Sequence, residues 1–281
     1  MKILVTGAGG QLGNAFQEIL PSKHEFVAAR HADLDITRLQ DIGAFLDLHQ
    51  PDWVFNAAAY NQVDRAEQDR EGAFLLNEQG PRNLAQASAE RGIGLVHVST
   101  DYVFDGTLGR PYTEEDRPNP QSVYGASKLA GEQAVAAFNP RHLIVRTAWL
   151  YSETGANFPR TMMRLAAQGP VRVVCDQFGS PTYALHLAAG ILELVERDAQ
   201  GLYHLAGSGG TSWHGLTVAL FQRLGITVPV TAIPASEFSR PAKRPAFSIL
   251  ETCREPEVRL PSWEQGLDLF VSRIKKQTEM K

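Results

Sequence analysis

The sequence predicts an α/β fold: a doubly wound parallel sheet, covered by helices on both faces, with a smaller C-terminal lobe. Three observations carry that expectation. Short apolar runs alternate with helical stretches through the first half of the chain, the first run ends in a glycine-rich turn, and the rhythm later loosens into proline- and glycine-bearing segments. Strands alternating with helices require right-handed crossovers, which make the sheet parallel and bury both of its faces.

Residues 2–6 form an apolar run ending at glycines, the pattern of a fully buried strand, and residues 11–20 follow as a helix. Residues 25–29 are the second strand. Thr37 is placed to cap a helix reaching Leu48, and residues 53–56 read as the third strand. A helical stretch from about 66 to 90, punctuated at Gly80-Pro81, leads into a strand over 95–99; a helix over 123–137 and a strand over 142–146 complete the regular part. Turns at Gly169-Pro170, Gly179-Ser180-Pro181 and 207–210, and the proline-rich 233–245, mark the lobe. The expected division is residues 1–148 with about 184–206 for the sheet domain, and 149–183 with 207–281 for the lobe.

The 281 residues are 43% hydrophobic and 21% charged with a net charge of −4, so a folded globular chain is expected, with no electrostatic attraction to nucleic acid or an anionic membrane. Cys175 and Cys253 lack the spacing and histidine company of a metal site and are too few for a disulfide framework, so both are expected as reduced thiols. Met1-Lys2 runs straight into the first strand without an apolar leader, and no stretch is long enough to span a bilayer, which points to a cytoplasmic location.

Gly7, Gly10 and Gly13 are spaced for three jobs: a tight turn, backbone approach to a pyrophosphate, and close packing of helix on strand, with Gln11 and Leu12 opening the helix beside them. That turn predicts a dinucleotide. At the end of the second strand Arg30 could pair with a 2′-phosphate, favouring NADPH, while an acid there would accept from a ribose diol, keeping NADH open. Asp35 could instead accept from the adenine amino group, with Ile36 packing on the base. Ala57, Ala58 and Ala59 follow Asn56 with small side chains against which a flat cofactor can lie. Ser99, Thr100 and Asp101 place polar side chains at the sheet edge where open α/β folds bind ligands. Tyr124 and Lys128, four apart on one helical face, suit proton transfer: the lysine cation stabilises a phenolate whose ordinary pKa is near 10. A Thr100 hydroxyl beside that phenol could polarise a substrate carbonyl.

These motifs, Thr6-Gly7-x-x-Gly10-x-x-Gly13, Asn56 to Ala59, Ser99 to Gly106 and Tyr124-Gly125-x-Ser127-Lys128, resemble the extended short-chain dehydrogenase/reductases. Further segments, 63–67, 146–151, Asn157-Phe158, 176–182, 201–206 and Arg244-Pro245-Ala246, are similar to the dTDP-4-dehydrorhamnose reductase family over nearly the whole chain. The resemblance implies a Rossmann-type sheet domain and an NAD(P)H-dependent reduction at C4 of a dTDP-linked 4-keto-6-deoxysugar. In that family pattern Tyr124 protonates the forming alkoxide, Lys128 lowers the tyrosine pKa and holds the nicotinamide ribose, and Thr100 bonds the carbonyl. Asn61, Asp101, Tyr102, Trp149 and Asn157 fall where the sugar is contacted, Ser99 lies by the cofactor, and Arg244 would grip the diphosphate. Departures occur at Asn61, Gln62, Phe247 and Glu251. Ala15 stands where some relatives carry a metal-binding glutamate, so no metal and a monomer or weak homodimer are expected. Two other readings stay open: a catalytically idle NADP-binding regulatory protein resembling the regulatory subunit of methionine adenosyltransferase, which the Thr100, Tyr124 and Lys128 trio argues against, and a reductase or epimerase of another nucleotide-linked 4-ketosugar.

Overall fold

The computed structural model describes residues 1–279. Its first half runs β1 (Lys2–Thr6), α1 (Gln11–Ile19), β2 (Glu25–Ala29), α2 (Leu39–His49), β3 (Trp53–Asn56), the short α3 (Val63–Ala66) and α4 (Arg70–Phe74), a π turn over Leu75–Gln79, α5 (Gly80–Ala89), β4 (Gly94–Thr100), α6 (Val123–Phe138) and β5 (His142–Thr147). The second half runs β6 (Leu150–Tyr151), α7 (Phe158–Ala166), β7 (Val171–Val174), β8 (Phe178–Gly179), β9 (Thr182–Tyr183), α8 (Ala184–Glu196), β10 (Gly201–His204), β11 (Thr211–Ser212), α9 (Trp213–Leu224), β12 (Val230–Ile233) and α10 (Trp263–Glu279).

Six strands form one sheet in the order β10-β5-β4-β3-β1-β2, and every pairing within it is parallel. Alternation along β1 explains both layers. Ile3 and Val5 enter a core with Phe16 of α1 and Leu187 and Ile191 of α8, whereas Leu4 points to the opposite face among Ile42, Leu46 and Leu84. A third apolar cluster, built on Tyr151, Tyr183, Leu220 and Phe270, lies among the later elements around β6, β9, α9 and α10. β10 returns to the edge of the large sheet against β5. Both cysteines are free thiols, and among the described residues no helix is long and apolar enough to cross a membrane.

Two local expectations change. Thr37 does not cap α2, which starts at Leu39; its amide and hydroxyl donate to Asp35 Oδ1 at 3.0 and 2.7 Å instead. The Asp35 carboxylate two residues upstream takes both Thr37 donors, which holds the threonine in a local turn and away from the first amides of the helix. The helical stretch over 66–90 is in fact three pieces. Asp69 accepts from the Gly72 amide and starts α4, and the π turn then shifts the register before α5.

α6 lies unusually close to its neighbours, because glycines occupy its contact face. A Cβ on Gly125 would fall 2.2 Å from the Tyr102 carbonyl oxygen, and one on Gly131 would fall 2.1 Å from that of Asn77. Ser122 caps the helix by accepting from the Gly125 amide at 3.1 Å.

Candidate active site and binding cleft

The glycine turn is shaped by the protein's own backbone. Gly7 has φ +65°, and a Cβ there would lie 2.6 Å from the Ala58 nitrogen, while a Cβ on Gly13 would lie 2.5 Å from the Gly7 oxygen. The first and third glycines therefore let β1, α1 and the exit of β3 meet. Gly10 precedes α1 with no side-chain cap, and nothing lies within 4 Å of a Cβ built on Gly9. The uncapped amides of the first turn thus face open space, an arrangement that fits a pyrophosphate. Ala57, Ala58 and Ala59, all partly buried, border it. Leu12, 4% exposed, turns its side chain into the core, which leaves its backbone to the turn. Gln11 reaches across instead: its Oε1 accepts from Asn157 Nδ2 at 2.8 Å and Ser152 Oγ at 3.2 Å.

Asn157 also caps α7, accepting from the Arg160 amide at 3.1 Å, so its side chain joins the lobe to the glycine turn rather than standing free for a sugar. Arg30 is exposed, and its amide donates to Asp33 Oδ2 at 2.8 Å. The Thr37 amide and hydroxyl hold the Asp35 carboxyl below its ordinary value, so it stays ionised. Ile36 is 2% exposed and packs on Gly80, where a Cβ would fall 2.7 Å from its Cδ1. It is a core residue.

At the edge of the sheet β4 ends on Thr100, whose hydroxyl accepts from the Tyr102 amide at 3.2 Å and donates to Asp101 Oδ1 at 3.1 Å. The same hydroxyl neighbours the phenol of Tyr124, which is 9% exposed with the Tyr102 ring edge-on at 5.5 Å. Burial pushes the Tyr124 phenol up to about 12, with the Thr100 hydroxyl opposing the rise and the Asp101 charge adding to it. Lys128 does not lower it in this state. Its ammonium donates to the Val98 carbonyl at 2.6 Å, and burial brings the lysine down to about 8 against the opposing charge of Glu132. Asp101 is pushed up to about 6 by burial, and its Oδ2 accepts from Ser248 at 2.6 Å, so this carboxyl braces the site from beneath. Burial likewise raises the Tyr102 phenol. Ser99 donates its hydroxyl to Glu132.

Beside this edge opens a cleft of about 860 Å³ whose walls include Tyr102, Phe158, Met162, Trp213, Arg240 and Arg244. Arg244 grips Asp64 with two bonds of 3.0 and 2.9 Å, and Arg240 reaches the same carboxylate at 3.3 Å. Arg244 foremost holds the Asp64 carboxyl below its ordinary value. Trp149, with φ +47°, stacks on Trp213 at 3.3 Å between centroids and packs against Gly179, so Trp213 is the indole that lines the cleft. Asn61 is exposed where the chain leaves β3.

Three residues receive no role from the sequence reading. Asp64, inside the 63–67 segment, and Trp213 act through partners far away in the chain, and Asn77 sits in the π turn, which apolar periodicity does not reveal. Fully buried, Asn77 accepts from the Tyr60 amide at 2.8 Å and donates to Ser127 Oγ at 3.0 Å, and Ser127 in turn donates to the Tyr124 carbonyl at 2.8 Å. It ties the exit of β3 to the tyrosine helix.

Residues 1–276 match the model of the RmlD substrate binding domain. A dTDP-4-dehydrorhamnose reductase of Sinorhizobium fredii is 39% identical, with 95% of each chain covered. A probable dTDP-4,6-dihydroxy-2-methyloxan-3-one 4-ketoreductase of Streptomyces antibioticus is 43% identical over 89% of this chain and 86% of its own. The crystal structure of dTDP-4-dehydrorhamnose reductase from Bacillus anthracis in complex with NADP superposes with a TM-score of 0.94 at 38% identity, covering 97% of this chain and all of that one (100%). With the parallel sheet, the glycine turn and the Thr100 and Tyr124 pair in place, these matches show that the chain belongs to the RmlD substrate binding domain family, among the dTDP-4-dehydrorhamnose reductases and their relatives.

Proposed function

We propose that the protein reduces the C4 ketone of dTDP-4-dehydro-6-deoxy-L-mannose to give dTDP-L-rhamnose, with NADPH as reductant and NADH as the alternative. The carrying observation is the neighbouring pair of Thr100 and Tyr124 hydroxyls, set beside a cleft that also holds three arginines, Arg172, Arg240 and Arg244. The bound nicotinamide supplies the hydride. The protein's own groups do the rest. With its pKa pushed up to about 12, the Tyr124 phenol carries its proton at neutral pH and is set to donate it to an oxygen that gains negative charge. Thr100 orients that oxygen, and its hydroxyl adds electrostatic stabilisation as charge develops. Lys128 spends one N–H on Val98, which leaves two for a nicotinamide ribose. Arg244, with Arg240 beside it, offers the planar cation that suits a diphosphate.

The Streptomyces relative favours a second substrate of the same chemical class, another dTDP-linked 4-ketosugar. A cytoplasmic monomer or weak homodimer completes the reading. The test supplies purified protein with dTDP-4-dehydro-L-rhamnose and NADPH or NADH and follows loss of reduced-cofactor absorbance. Cofactor binding without oxidation above a protein-free control would move the reading to an idle regulatory protein. Tyr124→Phe should lower turnover by about 10² or more while cofactor affinity holds, as removal of a proton donor predicts. Unchanged turnover would remove Tyr124 from that role.

A further inference from the structure

One buried charge close to the reacting groups has no part in the chemistry described above. Glu132 lies one helical turn beyond Lys128 on α6 and is 5% exposed. Its Oε1 accepts from the Ser99 hydroxyl and from Arg146 Nε at 2.9 Å, and its Oε2 accepts from Arg146 Nη2 at 2.6 Å. Ser99 precedes Thr100 on β4, and Arg146 stands opposite Ser99 on β5 in the sheet register. A single carboxylate thus joins two strand ends to the helix that carries Tyr124 and Lys128.

The charges around it make the carboxylate more than a brace. Lys128, Arg146 and Glu132 are all at most 5% exposed, so two cations share one anion where water cannot screen them. Of the other titratable groups around them only Glu114, 6% exposed, is an anion, and it lies beyond His204, its Oε1 accepting from the His204 amide at 2.6 Å and its carboxyl held below the ordinary value. His97 of β4 is held neutral by burial and by Lys128 itself, His204 of β10, 3.5 Å from Arg146 Nη1, is brought down to about 4 by burial, and Tyr124 keeps its proton. Were Glu132 neutral, the two cations would lose the anion that lies between them. An arginine does not release its proton in a protein, so the lysine would release it.

We infer that Glu132 is a positioning residue for the reduction: it clamps Ser99 and Arg146 so that Thr100 meets Tyr124, and it supplies the negative charge that keeps the Lys128 ammonium protonated. The inference rests on the reading of Tyr124 and Lys128 given above.

The experiment measures kcat/KM against pH for three variants of the full chain, with a thermal midpoint for each. Glu132→Gln keeps one acceptor oxygen, enough for Ser99 and Arg146 Nε, but gives up the bond from Arg146 Nη2 and removes the charge, and it should move the alkaline limb of the profile to lower pH by about one unit or more. Arg146→Met leaves Glu132 to act on Lys128 alone and should move the same limb to higher pH. The double variant removes both charges and should bring the limb back toward the wild-type position. A brace without an electrostatic role would lower the thermal midpoint and leave the limb where it was, and that result overturns the inference. If Glu132→Gln does not fold, the direction of the Arg146→Met shift decides, and a limb that stays in place or moves down overturns it. Lys128→Met separates the two levels: full turnover in that variant would mean that the reading of the site has failed, whereas lost turnover beside an unmoved Glu132→Gln limb would mean that only the role of Glu132 has failed.

Discussion

At the edge of the sheet the side chains proposed to react stand on regular structure. Thr100 closes β4, and Tyr124 and Lys128 share one face of α6, with the backbone of each element fixed by its own hydrogen bonds. In the cleft Arg244 and Trp149 stand on connecting segments and are held by residues of distant helices, Arg244 by Asp64 of α3 and Trp149 by Trp213 at the start of α9. A group on a sheet or helix end is placed first by many backbone bonds, and a buried side chain such as Glu132 only refines its position. A group on a loop is placed by one or two partners, and the loss of one partner releases it. Catalysis tolerates little displacement, and recognition tolerates more; the two halves of the site are built accordingly.

The largest effect should come from disturbing the rigid half at its tightest point. Gly13→Ala puts a Cβ 2.5 Å from the Gly7 oxygen and 2.6 Å from the Ala8 Cα, both of them backbone atoms that cannot swing aside. Helix α1 must then lift from β1. The expected cost is about 1–3 kcal/mol of stability, as for other overpacked sites, together with loss of NADPH binding because the first-turn amides are displaced. Thermal melting and a cofactor fluorescence titration read both. Wild-type affinity in a folded variant would show that the turn yields more easily than its contacts suggest.

In the lobe the corresponding change is Asp64→Asn. Two effects oppose one another: the arginines gain free positive charge, which draws an anion, and they lose the partner that orders them. Asp64 also accepts from the Ala242 amide at 3.3 Å, so its loss frees the segment that carries both cations. Arg240 is 44% exposed, and the gain in free charge there is screened by solvent; the ordering effect should therefore dominate. The KM for the dTDP sugar should rise about tenfold, the equivalent of one charged hydrogen bond, with kcat nearly unchanged. A fall in kcat of the same size would show that the cleft and the sheet edge are mechanically one.

The same contrast accounts for what could be read in the sequence. β1 to β5 and α6 announce themselves because apolar runs, glycines and an i, i+4 pair are local patterns that the backbone obeys. The Asp64 and Arg244 pair spans 180 residues, and the Trp149 and Trp213 stack joins two segments with no shared period. Such pairings have no signature in either strand of text taken alone. Ser99 and Ile36 sit where the fold predicts, but the direction of their side chains was open: Ser99 found a buried carboxylate and Ile36 the space above Gly80. Placement follows from topology, whereas orientation follows from what is packed behind.

Arg30 offers the smallest test of that distinction, because it belongs to the sheet half by position and to the loose half by environment. Its amide is pinned by Asp33, yet the residue is exposed at the loop after β2. Nearby, Asp35 has one oxygen taken by both the amide and the hydroxyl of Thr37, which leaves the carboxylate ionised and unfavourable to a 2′-phosphate unless a cation offsets it. A solvated arginine gives an exposed phosphate up to about 1 kcal/mol, so Arg30→Ala should raise the KM for NADPH about fivefold and leave that for NADH in place. Steady-state kinetics with each cofactor settles it. An equal rise for both would place Arg30 on the adenosine that the two share, and its only service would then be to hold the loop. A rise of two orders of magnitude would mean that the guanidinium is immobilised on binding, in which case this loop is as rigid in the complex as the turn at Gly7.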